Sequence, residues 1–96
     1  MSDPYFPMVQ EQWATILRAY TDFQEKKPVI LFDIQAAKIY AYPYHDFKAD
    51  LSLRSQALLE EQYTEAVTTG KIVVFVRDNR RRHLVSYTIA PQDAEA

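Results

Sequence analysis

The sequence predicts an α+β fold of order αββαββ, in which two hairpins form one four-stranded antiparallel sheet and two helices pack on one of its faces. Three observations carry this expectation. Apolar residues recur at three- and four-residue steps ahead of each of two β-rich stretches. Each β-rich stretch divides into two short runs of branched and aromatic residues around a polar centre. The two helix–hairpin units follow one another at a spacing of about 43 residues, as in an internal pseudo-repeat.

Residues 1–7 hold two of the five prolines and read as an extended N-terminal arm. Residues 8–90 form the single domain. Its first helix places Val9, Trp13, Ile16, Leu17, Tyr20 and Phe23 on one face, with Gln10, Arg18, Asp22 and Glu25 opposite. Lys26 and Lys27 suit the negative end of that helix, and Pro28 stops it. Val29–Phe32 and Ile39–Tyr42 make the first hairpin, and Pro43–Phe47 reads as a turn-like link. A second helix runs from about Asp50 to Thr69, capped by Asp50 or Ser52 and closed by Gly70. Its buried stripe is Leu59, Tyr63, Ala66 and Val67, extended by Leu53 or Leu58. Ile72–Val76 and Leu84–Ile89 make the second hairpin, and residues 91–96 read as a flexible tail. The order is also that of a circularly permuted split-βαβ arrangement, a topological analogy that carries no function.

Scarce glycine favours four-residue hairpin loops, since two-residue loops depend on it. Loops at Ile34–Ala37 and Asp78–Arg81 pair Asp33 with Lys38, Phe32 with Ile39, Arg77 with Arg82 and Phe75 with Leu84. Alternation then assigns Ile30, Phe32, Ile39, Ala41, Val73, Phe75, Leu84 and Ser86 to one sheet face. Val29, Leu31, Tyr40, Tyr42, Ile72, Val74, Val76, Val85 and Tyr87 fall on the other. Both faces are apolar, and two helices on one face leave the other open. A second copy of the chain is the expected cover, giving a homodimer.

Composition excludes several classes. A chain of 96 residues is one domain, and the absence of cysteine excludes disulfides, thiolate nucleophiles and thiolate metal sites. A single glycine excludes the phosphate-cradling loops and the nucleophile elbow. Net charge is −2, and no apolar run approaches the ~20 residues of a membrane span, so a cytoplasmic protein with no membrane contact is expected. Neither His45 nor His83 has the company a metal site requires, and no cofactor is expected. Nothing supplies a nucleophile, a base and an oxyanion site together, so the chain is expected not to be an enzyme.

The densest feature is Arg77-Asp78-Asn79-Arg80-Arg81-Arg82-His83 at a hairpin tip. Arginine's planar fork suits bidentate contact with carboxylate or phosphate. The same run also reads as a solvated turn that discourages strand pairing at the sheet edge. Tyr40, Tyr42 and Tyr44 alternate along one strand, and Tyr87 lies in the last. They read as core, as a dimer interface or as a stacking platform. The expected partner-binding residues are therefore Arg77, Arg80, Arg81, Arg82, Tyr40, Tyr42 and Tyr87. The expected function is a small non-enzymatic interaction, assembly or regulatory protein. It would act as a homodimer whose arginine hairpin contacts an acidic protein surface. The alternative is nucleic-acid binding through Arg77–His83 and the sheet tyrosines.

Overall fold

The computed structural model describes residues 3–24 and 27–94. The first helical stretch forms as α1 (Phe6–Glu11) and α2 (Trp13–Asp22), joined at Gln12. The Gln12 amide is shared between the Met8 and Val9 carbonyls at 3.2 Å each, so the apolar stripe passes through the joint. Val9, Trp13 and Ile16 are buried on it, as the periodicity predicts. Helix α1 starts at Phe6, inside the stretch expected to be extended, with a proline in its first turn where no backbone donor is lost. Helix α2 ends at Asp22, because Phe23 turns to extended backbone, ahead of the stop expected at Pro28. Asp22 sits at the negative end of the helix, where a carboxylate is unfavourable. Lys26 lies outside the described residues, and Lys27 adopts a left-handed φ of 59° beyond the helix.

Strands β1 (Val29–Asp33) and β2 (Lys38–Tyr42) form the first hairpin in the expected register, with Asp33 opposite Lys38 and Phe32 opposite Ile39. The link after it is a short helix, α3 (Tyr44–Ala49), rather than a turn. Its six residues are too few to declare a period, although Asp46 in the first turn and Lys48 in the last suit the dipole. Helix α4 (Leu53–Thr69) is capped by Ser52, whose hydroxyl accepts from the Ser55 amide at 3.3 Å, and closed by Gly70 at φ 72°. Only Leu59 and Ala66 of its expected stripe are fully buried; Leu53 and Leu58 are exposed. Strands β3 (Ile72–Asp78) and β4 (His83–Ile89) form the second hairpin, and the four-residue helix α5 (Pro91–Ala94) follows within the expected tail.

The second hairpin is set two residues from the expected register: Asp78 lies opposite His83 and Phe75 opposite Ser86. Its loop is Asn79–Arg82, four residues as expected, with Arg82 in the left-handed region at φ 56°. The first loop has the same form, with Ala37 at φ 53°.

The sheet is mixed rather than purely antiparallel. Its order is β2-β1-β3-β4, and the central pair β1 and β3 runs parallel. Ile30 pairs with Val74, not with a position equivalent to Val73, so the two hairpins share faces in the opposite sense to that expected. A one-residue slip moves every side chain to the other face. Ile30, Phe32, Ile72, Val74, Val76 and Ile89 pack with Val9, Trp13 and Ile16. Val29, Leu31, Val73 and Phe75 pack on the other face with Phe47, Leu59 and Ala66. The helices therefore do not share one face, as the split-βαβ analogy also required. Helices α1 and α2 cover one side of the sheet and α3 and α4 the other. The open apolar face that called for a second copy does not exist, because the chain covers both faces itself. Strands apolar on both sides are the mark of such a buried parallel pair. Each fully buried large side chain here, such as Ile16, Leu31 or Phe75, contributes about 1.5–3 kcal/mol to that assembly. Among the described residues no helix is long and apolar enough to cross a membrane.

Candidate interaction site at the hairpin tips

Parallel pairing of β1 and β3 brings both hairpin loops to one end of the sheet. Each strand ends on an aspartate that ties its own loop. Asp33 Oδ1 accepts from the Ala36 amide at 3.2 Å, and Asp78 Oδ1 accepts from the Arg80 and Arg81 amides at 3.2 and 3.4 Å. Such bonds are what aspartate commonly makes in a turn. Asp78 differs in being buried, the one buried charged side chain among the described residues.

Its burial is matched by donors from two distant segments. The Tyr5 hydroxyl donates to Asp78 Oδ2 at 2.8 Å, and Gln35 Nε2 donates to Oδ1 at 2.9 Å. Gln35 Oε1 in turn accepts from the Asn79 amide at 2.8 Å, so one side chain of the first loop holds the second loop by two bonds. The Tyr5 bond, more than the others, holds the Asp78 carboxyl below its usual value, with Gln35 and the backbone donors adding to it and burial opposing it. The same bond pushes the Tyr5 phenol up. His83 Nδ1 lies 3.3 Å from the Tyr5 oxygen. The single phenolic proton is directed at Asp78, so a hydrogen bond here requires Nδ1 to carry the proton.

Asp3 extends this clasp. It accepts from the Tyr5 amide at 2.9 Å and from the Tyr87 hydroxyl, and the Tyr87 bond chiefly holds its carboxyl low. Burial first, and then the Asp3 bond, pushes the Tyr87 phenol far up. The described part of the N-terminal arm is thus fastened to β3 and β4.

The expected site residues separate. Arg80, Arg81 and Arg82 stand exposed on the fixed loop. Arg77 is on the opposite face of β3 from Asp78, 3.9 Å from Asp33 and beside Leu31 and Phe47. Arg80 and Arg81 instead line an open cleft of about 670 Å³ with Tyr5, Met8, Ile34 and Gln35. Tyr40 and Tyr42 pack on the α3–α4 face, their rings 5.9 Å apart, and Tyr42 lies 5.8 Å from Phe47. Tyr44 stacks on Tyr63 at 4.2 Å. Tyr87 is on the other face, 5.5 Å from Phe6. The strand tyrosines therefore do not meet the arginines, and Tyr40 and Tyr42 lie at the opposite sheet edge from Tyr87. No shared stacking platform is formed from them.

Sequence reasoning placed Asp78 in a turn but missed Tyr5 and Gln35. Nothing local marks a tyrosine 73 positions away as a partner. The available signal was the aspartate repeated at the end of each central strand. Chemically, the cluster is a clasp rather than an acid–base device. Both Asp78 oxygens are occupied by donors, and Tyr5 is held in its protonated form, the opposite of what a phenolate base or nucleophile needs. No family model, curated protein or solved structure matches the chain.

Proposed function

We propose that this is a non-enzymatic cytoplasmic interaction protein that presents Arg80–Arg82 to an acidic protein surface. One observation carries the reading. Three exposed arginines stand on a loop whose backbone is fixed by a buried, fully bonded aspartate. Among the described residues, the ion pairs are Lys48–Glu60 and Arg77–Asp33, so these three guanidinium groups have no carboxylate partner there. A rigid mount lowers the ordering cost of docking, and an arginine fork matches a carboxylate. The cleft beside them adds Met8 and Ile34 as apolar contacts for neighbouring residues of a partner.

The experiment is a titration of the full chain with poly-glutamate and, separately, with duplex and single-stranded DNA. The reading expects binding to poly-glutamate that weakens with salt and falls about tenfold or more in the Arg80→Glu, Arg81→Glu variant. Tighter, salt-steep binding to DNA would replace it with the nucleic-acid reading. The paired left-handed positions, Lys27 with Gly70 and Ala37 with Arg82, support reading the two helix–hairpin units as an internal duplication.

A further inference from the structure

A second cavity, of about 260 Å³, lies at the end of the sheet away from the hairpin loops, where both central strands begin. Leu17 and Tyr20 of α2 line it together with Ala66 and Val67 of α4, and Pro28, just ahead of β1, adds to the apolar wall. Helices α2 and α4 cover opposite faces, so the cavity spans the sheet end between the two layers. It is smaller than the roughly 300–1,000 Å³ of sites for drug-sized ligands, and suits a single ring with a short chain.

A few polar groups stand among these apolar ones. Tyr63 is fixed in the wall, because its hydroxyl donates to the Lys27 carbonyl at 2.8 Å and its ring stacks on Tyr44 at 4.2 Å. Burial alone pushes the Tyr20 phenol up, with no hydrogen bond contributing, so its proton is available to a ligand. Lys27 and Lys71 are the charged residues of the described lining, and neither has a carboxylate partner among the described residues. Both stand on fixed backbone: the Lys27 carbonyl holds Tyr63, and the Lys71 amide donates to the Ala66 carbonyl at 3.0 Å. Lys27 is exposed and Lys71 half-buried, so they mark the mouth.

We infer that this cavity binds a small free carboxylic acid, with its apolar body between α2 and α4 and its carboxylate at Lys27 and Lys71. The site lies at the opposite end of the sheet from Arg80–Arg82 and goes beyond the proposed function. Charge selects the head group. Two unpaired ammonium groups call for an anion, and a charge-assisted bond to a carboxylate is stronger than one to a neutral oxygen. Helices α2 and α4 both end at this cavity, and the negative ends of their dipoles oppose charge placed deep between them. A single negative charge held at the mouth satisfies both conditions. A phosphate dianion lacks here the helix N-terminus or the arginine fork that commonly receives it. The interior offers alkyl and phenol surface, which selects the apolar body.

Three compounds with one body and different heads test this: phenylpropanoate, phenylpropanol and phenylpropylamine, titrated into the full chain by calorimetry and by NMR of the backbone amides. Phenylpropanoate is expected to shift the amides of Thr21, Gly70 and Lys71 and to bind about tenfold or more tighter than the alcohol, with the amine weakest. The variant Lys27→Gln, Lys71→Gln is expected to reduce the acid to the affinity of the alcohol and to leave the alcohol unchanged. Val67→Trp, which fills the cavity from a partly exposed position, is expected to abolish binding of both, with circular dichroism confirming the fold of each variant. No binding of the acid at millimolar concentration, or equal binding of acid and alcohol, overturns the inference. So does acid binding that shifts Arg80–Arg82 and is lost in Arg80→Glu, Arg81→Glu, a result that leaves the proposed function standing.

Discussion

The Tyr5 hydroxyl reaches across 73 residues to donate to Asp78 at 2.8 Å, fastening the start of the chain to the last residue of a central strand. Tyr5→Phe keeps the ring in its buried place and removes only the donor. It is expected to lower the thermal midpoint by a few degrees and to raise the Asp78 pKa. Titration of the Asp78 carboxyl by NMR in both proteins checks the second effect.

Acid should unfasten the same clasp. The folded Asp78 and Asp3 carboxyls lie below their ordinary value of 3.8, through hydrogen bonds from Tyr5 and Tyr87. A depressed folded pKa stabilises above the unfolded value and loses that contribution as pH falls through the folded one. Stability is therefore expected to be level above about pH 5 and to fall below about pH 4, more shallowly in Asp78→Asn. Thermal midpoints between neutral and strongly acid pH measure this.

At the alkaline end the sign reverses. Tyr5, Tyr20, Tyr63 and Tyr87 are all raised above their ordinary value of 10.0. Their neutral forms stabilise the fold below that value, and the contribution is lost as pH rises through the folded ones. Tyrosinate absorbance is expected to lag behind that of the denatured chain and to complete only on unfolding.

Two left-handed positions should respond with opposite signs. Ala37 bears a left-handed φ of 53° in an exposed loop. Relief of about 1–2 kcal/mol of strain exceeds the roughly 0.4–1 kcal/mol of unfolded-state entropy that glycine adds. Ala37→Gly is thus expected to stabilise by on the order of 0.5–1 kcal/mol. Gly70 has φ 72° and open space where a Cβ would stand, so Gly70→Ala meets backbone strain alone. It should destabilise by about 1 kcal/mol. Urea unfolding of both variants gives the two signs.

Helix α4 separates burial from hydrophobicity. Leu59 is wholly buried and Leu53 is 84% exposed, six positions apart on one helix. Leu59→Ala is expected to cost about 2–5 kcal/mol, whereas Leu53→Ala should stay within about 0.5 kcal/mol. Chemical denaturation of the pair discriminates them.

Much of the fold was legible because it is local. Alternation and loop length were enough to pair Asp33 with Lys38 and to sort each hairpin into two faces. The three- and four-residue steps found Val9, Trp13 and Ile16, and Gly70 marked the end of α4. The stripe of α4 was less legible, since Leu53 and Leu58 are as apolar as Leu59 and only packing distinguishes them. Of the candidate site, the arginine loop was legible as a run of charge. Its mount was not, because Tyr5 and Gln35 come from segments with no sequence relation to Asp78.

The sequence by itself determined the two hairpins and the helical stretch ahead of each, the register of the first hairpin and which side chains in each hairpin point the same way. These follow from periods of 2 and 3.6 residues within one segment. Only the tertiary structure decided how the hairpins meet. Parallel pairing of β1 with β3 sets Ile30 beside Val74, sends the helices to opposite faces and gathers both loops at one end. That choice depends on contacts between segments some 44 positions apart, and a strand apolar on both sides fits either sense. The same non-local step closed the face on which a dimer was expected.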